Sequence, residues 1–514
     1  MDHVDPGGRE KHGGAGVKAG ALRMDRMFTL IEIASATGGR LLRGEPSTVV
    51  SGVSIDSRTI RPGELFVAIK GDRFDGHEYI YDALRRGACG AVVDVARYRM
   101  PDTAAEEALL RGRILVGVTD TISGLQGLAR FHRERWGGSM TAVTGSNGKT
   151  TTKEMAASIL SRRYSLLRTE GNLNNHIGVP LTLLRLAPGH QAALIEMGIS
   201  RAGELRRLAE TARPQVGLIT NIGATHLEML GTVEGVAEAK AELMDALPAD
   251  GMAILNRDDP FYGFLRARSK GTTATFGAGP DSDVRLTAVQ EGEAGLTADL
   301  VLRPDLFGAG RPRMRIDRAV DSPVSIRAGL SVFGRHNAIN AAAAAAVGWV
   351  MGCDAETIRQ GLEAFRPVAM RSEMIPWEER MILNDAYNAN PASMRAALDT
   401  LSRLPGGRRV AVLGDMRELG ESEAQAHREV GEAAAACGIA YLIAMGSNAG
   451  RIAEGAVAGR MSPDRVAVCR DPEEAAKALR RETGPGDVIL LKGSRGMKME
   501  RILEALGVRR GEGH

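Results

Sequence analysis

The stretch Met140-Thr141-Ala142-Val143-Thr144-Gly145-Ser146-Asn147-Gly148-Lys149-Thr150-Thr151-Thr152 decides how the rest of the chain is read. Residues 140–143 are short and apolar enough for a buried strand. Residues 153–160 put Met155, Ile159 and Leu160 on one face of a helix. Strand, glycine loop and helix in that order cradle a phosphate: small residues let backbone N–H groups approach the oxygens, and the helix N-terminus adds a favourable dipole. Lys149 is the side chain to reach the terminal phosphates and the Thr150 hydroxyl the one to meet a magnesium ion. The usual loop is GxxxxGK[ST]; here Val143 stands in place of its first glycine, leaving a contracted Gly-x-x-Gly-Lys-Thr. Taken alone, that string also fits an ordinary helix-entry turn.

At 514 residues the chain has room for about three domains. With 44% hydrophobic and 25% charged residues it has the composition of a soluble globular protein. A net charge of +3 on this length argues against nucleic acid as the main ligand and leaves anionic small molecules open. Only 4% of residues are aromatic, too few for single-strand stacking platforms. Cys89, Cys353, Cys437 and Cys469 form no CxxC pair and read as reduced thiols of a cytosolic protein. Residues 1–24 are rich in glycine and charge without an apolar core, so they read as a disordered extension or a matter of start-site choice, not a secretory signal. The alanine-rich run 340–350 is too short and too weakly apolar for a membrane span.

Three segments emerge. Residues 25–137 suggest a small α/β unit: 28–42 opens with a short amphipathic helix, after which the pattern turns to short strands near 52–58, 65–69, 91–93 and 114–116, with a helix at 80–87. Its loops carry Asp, Ser, Arg, Lys and His, as solvated loops or a polar binding pocket. In 138–367, strands at 192–195, 216–219 and 252–255 end in Glu196, in Asn221 to Glu228 with His226 among them, and in Asn256. With helices between, this is a mostly parallel sheet, whose ligands lie beyond the carboxyl ends of its strands. Lys240 falls on the apolar stripe of a helix over 232–247. It either snorkels to water or is held inward, where burial lowers its pKa. The amide-dense run 172–180 is a turn or a substrate-positioning loop, and His336-Asn337 are a helix cap or purine contacts. In 368–514 a second open α/β sheet is expected from strands at 381–385, 410–413, 441–444, 466–468 and 488–491, with Arg371 a charge donated across a cleft.

Assembled, TGSNGKTTTKEM (144–155), NLNNHIGVPLTLL (172–184), EMG (196–198), NIGATHLEMLGT (221–232), GRHN (334–337), DAYNANPASM (385–394), GDMRELG (414–420) and KGSRGMKME (492–500) resemble the Mur ligases from about residue 25 to the end. The contracted phosphate loop is that family's own form. His176 replaces an expected acidic residue and Thr225 a smaller one. NANP at 388–391, in place of a DNPR-like string, is similar to the dipeptide-adding branch.

The resemblance implies three α/β domains: 25–137 binding a UDP-linked substrate, 138–367 binding ATP, and 368–514 completing the ligase. It implies ATP-dependent joining of D-alanyl-D-alanine to a UDP-linked muramoyl tripeptide through an acyl phosphate, by a cytoplasmic, monomeric enzyme. Gly145, Ser146, Asn147, Gly148, Lys149, Thr150 and Thr151, with Asn256, Asn337, Arg371 and Asp385, are the implied ATP-binding residues. Thr150, Glu196, His226 and a carbamylated Lys240 are the implied ligands of two magnesium ions, with Lys149, Lys240 and His226 catalytic. Ser54, Asp56, Ser57 and Arg58 are implied to hold the uridine diphosphate. Another ligase of the superfamily, such as a folylpolyglutamate synthase, and a non-catalytic nucleotide-binding scaffold are the alternatives.

Overall fold

The computed structural model describes residues 27–45, 48–304 and 322–508; the expected extension at 1–24 lies outside them. By contact density the chain forms two compact units. One takes the chain up to Thr121 together with Phe131–Gly137, the other Ile122–Arg130 and the chain from Gly138 onward.

The first unit is built on a five-stranded sheet. Gly52–Ser54, Glu64–Val67, Gly90–Asp94 and Ile114–Val118 run parallel, and Arg40–Arg43 closes the sheet antiparallel to Ile114–Val118. The short helix expected at the opening of 28–42 is Leu30–Thr37, preceded by a strand Phe28–Thr29 and followed, as the change of pattern implies, by the strand Arg40–Arg43. Local chemistry sets both ends of that short helix. Thr29 and Glu32 form a capping box at its start, and Gly38, with φ of 63°, stops it in a left-handed turn that most side chains resist.

The second unit holds two sheets. In the larger, of nine strands, Leu166–Arg168, Ala192–Glu196, Ser139–Thr144, Val216–Ile219, Met252–Asn256 and Thr272–Gly277 lie side by side and parallel. The four central strands, Ala192–Glu196, Ser139–Thr144, Val216–Ile219 and Met252–Asn256, are buried nearly throughout, which is why they read as continuous apolar runs. The register sets Glu196 opposite Val143 and Ile219 opposite Thr144, so the carboxyl ends of three strands stand level. An antiparallel extension, Val284–Gly292, Gly295–Leu302 and Val324–Leu330, completes the sheet. Gly295–Leu302 alternates between buried and half-buried residues and Val324–Leu330 between buried and exposed ones, a pattern of strands covered on one face not anticipated above. The helix Arg335–Val350 is buried nearly all round, and its alanine run packs into the core beside Met155, Ile159 and Leu160.

The smaller sheet has six strands. Arg380–Asn384, Val488–Lys492, Arg409–Gly414, Tyr441–Met445 and Val466–Cys469 are parallel, as the alternation at 368–514 implies, with Glu373–Trp377 antiparallel at the edge. The helix Pro391–Arg403 starts sharply because Asn390 and Ser393 make a capping box and Pro391 occupies the first helical position.

Candidate active site

The level strand ends open into a cleft of about 850 Å³ whose walls come from both sheets of the second unit. Its floor is the phosphate loop. The helix that follows begins at Lys149, four residues before the apolar pattern suggests, because the loop itself supplies the first turn. Gly145 and Gly148 are required there. Both have positive φ, 143° and 78°; a Cβ at Gly145 would lie 1.9 Å from Thr220 Oγ1 and one at Gly148 would lie 2.3 Å from Asn340 Oδ1.

A second loop braces the first. Ser146 N donates to Asn221 O (2.8 Å), Asn147 N to Asn221 Oδ1 (3.0 Å), and Thr220 Oγ1 to Asn147 O (2.6 Å). Gly223 N donates to Ser146 Oγ, and the Thr225 hydroxyl reaches the same oxygen at 3.3 Å. Thr225, unusual from its sequence, is therefore a brace for Ser146. From the smaller sheet, Asn390 Nδ2 donates to Asn147 Oδ1 at 2.6 Å, joining the NANP run to the phosphate loop.

Cations outnumber carboxylates around that loop. Lys149 Nζ is folded back onto Gly145 O (2.8 Å) and Ser146 O (3.2 Å). Burial lowers its pKa to about 8, Glu196 opposing the shift and the positive charge of Arg371 adding to it. Lys240, on the helix Val233–Ala246, is 2% exposed and does not snorkel. Burial, and then the nearby charge of Lys149, push its pKa well down, and its ammonium has no hydrogen-bond or ion-pair partner among the described residues. The Arg371 guanidinium stacks 4.0 Å from the centre of the Tyr387 ring, and its Nε is buried with no hydrogen-bond partner among the described residues. Met370 and Ser372 beside it have φ of 61° and 51°, so this segment bends sharply to present Arg371.

One buried carboxylate faces these cations. Glu196 Oε1 accepts from Thr150 Oγ1 (3.1 Å) and Asn174 Nδ2 (2.8 Å), which draws the 172–180 run to the site; Oε2 has no hydrogen bond. Thr150 and Glu196 thus offer hard oxygens with one position free. That fits magnesium, which keeps several waters and takes one or two protein ligands plus substrate phosphates. No group of three or more His, Cys, Asp or Glu gathers into a metal cluster among the described residues.

The other expected residues are placed as follows. His226, with φ of 55°, bonds through Nδ1 to Glu418 Oε2, while Glu228 N donates to Glu418 O. Asp385 pairs with the buried Lys492, and its Oδ1 accepts from Ser372 N at 3.1 Å. Asn337 does not cap its helix: it donates to Phe333 O (2.8 Å) and accepts from Asn340 (3.0 Å). His336 lies on the cleft wall. Asn256 ends its strand donating weakly to Thr220 O (3.4 Å), and neither it nor Lys240 forms part of the cleft wall. In the first unit, Ser54, Asp56 and Arg58 form one tight turn. Arg58 grips Asp56 with two bonds (2.9 and 2.7 Å), holding that carboxyl pKa down at about 2, while Ser57 is buried.

Asn340, Asn390 and Glu418 were not singled out from sequence. Asn340 carries a legible signal, since with Asn337 it makes an i, i+3 amide pair on an otherwise apolar helix. Asn390 and Glu418 sit inside quoted motifs, and only the fold carries them to the loop.

Three family descriptions match the chain: the Mur ligase family catalytic domain over residues 49–130, the Mur ligase middle domain over 143–348, and the Mur ligase glutamate ligase domain over 370–495. The chain belongs to the Mur ligase family. It is 35% identical to the UDP-N-acetylmuramoyl-tripeptide–D-alanyl-D-alanine ligases of Bacillus subtilis, over 93% of this chain and 98% of that one, and of Escherichia coli, with the same coverage. Among solved structures, MurF from Acinetobacter baumannii matches with a TM-score of 0.81 at 31% identity, covering 93% of this chain and 99% of that one. MurF ligase from Thermotoga maritima in complex with ADP matches with a TM-score of 0.74 at 28% identity, covering 88% and 96%. A folylpolyglutamate synthase from Mycobacterium tuberculosis shares the fold at 17% identity and a TM-score of 0.58.

Proposed function

We propose that this Mur ligase joins D-alanyl-D-alanine to UDP-N-acetylmuramoyl-tripeptide, converting ATP to ADP and phosphate, as a monomer of the cytoplasm. The observation that carries the reading is the cleft itself: Lys149 and Arg371 bring positive charge to a contracted phosphate loop, with the buried Lys240 behind Lys149, against the buried carboxylate Glu196. The relatives at 35% identity over nearly their whole length favour the dipeptide-adding reaction. No helix among the described residues is long and apolar enough to cross a membrane.

Carboxylate and ammonium do not condense readily in water, so the oxygen must first become a leaving group. The tripeptide's terminal carboxylate attacks the γ-phosphorus of ATP; the bond to the bridging oxygen breaks and ADP departs. The free amine of the dipeptide then attacks the acyl carbon, the amide forms, phosphate leaves and the amine gives up a proton. Positioning and charge neutralisation carry most of phosphoryl transfer. Lys149 exchanges the loop carbonyls for the transferring phosphate. Gly145, Ser146, Asn147, Gly148, Thr150 and Thr151 cradle the polyphosphate, and Asn256, Asn337, Arg371 and Asp385 hold the rest of the nucleotide. Thr150 and Glu196 hold a first magnesium ion, which when bound neutralises phosphate charge. A second is assigned to Glu196, His226 and a carbamylated Lys240. Carbamylation is supported by the unpartnered, depressed Lys240 amine, because a neutral amine is the form that reacts and the product replaces a cation with oxygen ligands. Ser54, Asp56, Ser57 and Arg58 hold the uridine diphosphate.

Phosphate release is measured with each substrate omitted in turn, followed by mass analysis of the product. The expected result is release and an amide product only when ATP, the UDP-tripeptide and D-alanyl-D-alanine are all present. Joining of glutamate or diaminopimelate instead, or ATP binding without turnover, rejects the assignment.

A further inference from the structure

Lys153 is 0% exposed, the most deeply buried cation among the described residues, and no role above uses it. It lies in the helix Lys149–Leu160, one turn beyond the phosphate loop. Its Nζ donates to Thr169 O at 2.7 Å, pairs with Glu154 Oε1 at 2.5 Å, and stands 4.0 Å from Glu196 Oε2. Glu154 is held in turn by Arg168 at 2.8 Å. Thr169 Oγ1 accepts from the backbone N of Glu196 at 2.9 Å. One lysine therefore ties the phosphate-loop helix to the end of the edge strand, and that strand end fixes the backbone of Glu196.

The charge arrangement is specific. Oε1 of Glu196 is occupied by Thr150 and Asn174, whereas Oε2 has only the ammonium at 4.0 Å. Both nearer partners of Lys153 hold its Nζ back from direct contact with Oε2. The carboxylate is thus neutralised through space while that oxygen stays free. At hydrogen-bond distance the ammonium would instead compete directly with a metal ion for Oε2.

We propose that Lys153 is a positioning residue for metal-bound nucleotide: anchored on the Thr169 carbonyl and Glu154, it holds Glu196 oriented with Oε2 available to magnesium. This rests on the reading that Glu196 is a magnesium ligand. Partners one shell out from a metal ligand typically cost 10–100-fold in metal affinity when removed.

The test is binding of a fluorescent ADP analogue to the full chain, with and without saturating magnesium, for the parent, Lys153→Met, Lys153→Gln, Lys153→Arg, Thr169→Val and Glu196→Gln. The expected result is that the affinity gained from magnesium falls about tenfold or more in Lys153→Met and Thr169→Val and is largely kept in Lys153→Arg. Affinity without magnesium stays at the parent value, which a residue serving only to hold the fold would not achieve. A parental magnesium gain in Lys153→Met overturns the inference; where that variant does not fold, a parental gain in Lys153→Gln, which keeps a hydrogen-bond donor but no charge, does so. Glu196→Gln separates the two levels. If it keeps the magnesium gain, the metal reading itself fails; if it loses the gain while Lys153→Met keeps it, only the role of Lys153 fails.

Discussion

Lys149 concentrates the physics of the cleft. Its ammonium donates to two loop carbonyls, yet burial and Arg371 lower its pKa to about 8. A bound polyphosphate favours the ammonium, so the pKa in the complex lies higher than in the free protein. Between those two values affinity falls as pH rises, by up to tenfold per pH unit, because the free protein sheds a proton that the complex must regain. Calorimetric titration with ADP below and above pH 8 checks this, and Lys149→Met is expected to bind weakly with that pH dependence removed. Lys240 makes a different prediction. Lys240→Ala is expected to lose phosphate release and to recover part of it with added short-chain carboxylates, which stand in for the carbamate oxygens. Normal turnover without them rejects the carbamate.

At the scale of elements, the phosphate loop works because two glycines let neighbouring side chains lie against its backbone. Gly148→Ala places a methyl 2.3 Å from Asn340 Oδ1 at a φ of 78°. The expected cost is about 1–3 kcal/mol of strain, read as a lowered thermal midpoint together with weakened ADP binding. The double variant with Asn340→Ala is expected to recover part of the loss, because the clash goes and the φ strain stays. Helix caps are simpler. Thr232 accepts from Gly235 N at 3.1 Å to start the helix that carries Lys240. Thr232→Ala is expected to cost about 1 kcal/mol in chemical denaturation.

At the scale of the second unit, two contacts join the sheets over the cleft: Asn390 with Asn147, and Glu418 with His226 and Glu228 N. The backbone is in left-handed conformations at His226 and Glu418, at 55° and 64°, so the contact is made at a local energetic cost. Glu418→Ala removes the His226 partner, and faster amide exchange is expected over 223–231, measured by mass spectrometry, with little change in the sheet strands. The proposed function supplies a reason for such contacts, since an acyl phosphate left open to water would hydrolyse. The cysteines complete the picture of a reduced interior. Burial lifts Cys89 to about 11 and Cys353 to about 12, and raises Cys469, while Cys437 is only half-buried. A thiol reagent is therefore expected to label Cys437 first in the native protein, and all four only after unfolding.

The sequence by itself determined the α/β class, the parallel strands and the phosphate loop. Apolar runs, glycine spacing and the order strand, loop, helix are local patterns, and local sterics and burial act on them directly. It also carried the family, through motifs spread along the chain. Only the tertiary structure decided that Lys240 is enclosed without a partner, that Glu196 keeps one oxygen free, and that Asn390 and Glu418 reach the phosphate loop and His226. Such facts depend on which elements meet across hundreds of residues, and a buried charge is defined by neighbours that no local spacing names. The short helix that opens 28–42 shows both levels at once: its apolar face was legible in the sequence, and its ends are set by the Thr29–Glu32 capping box and Gly38.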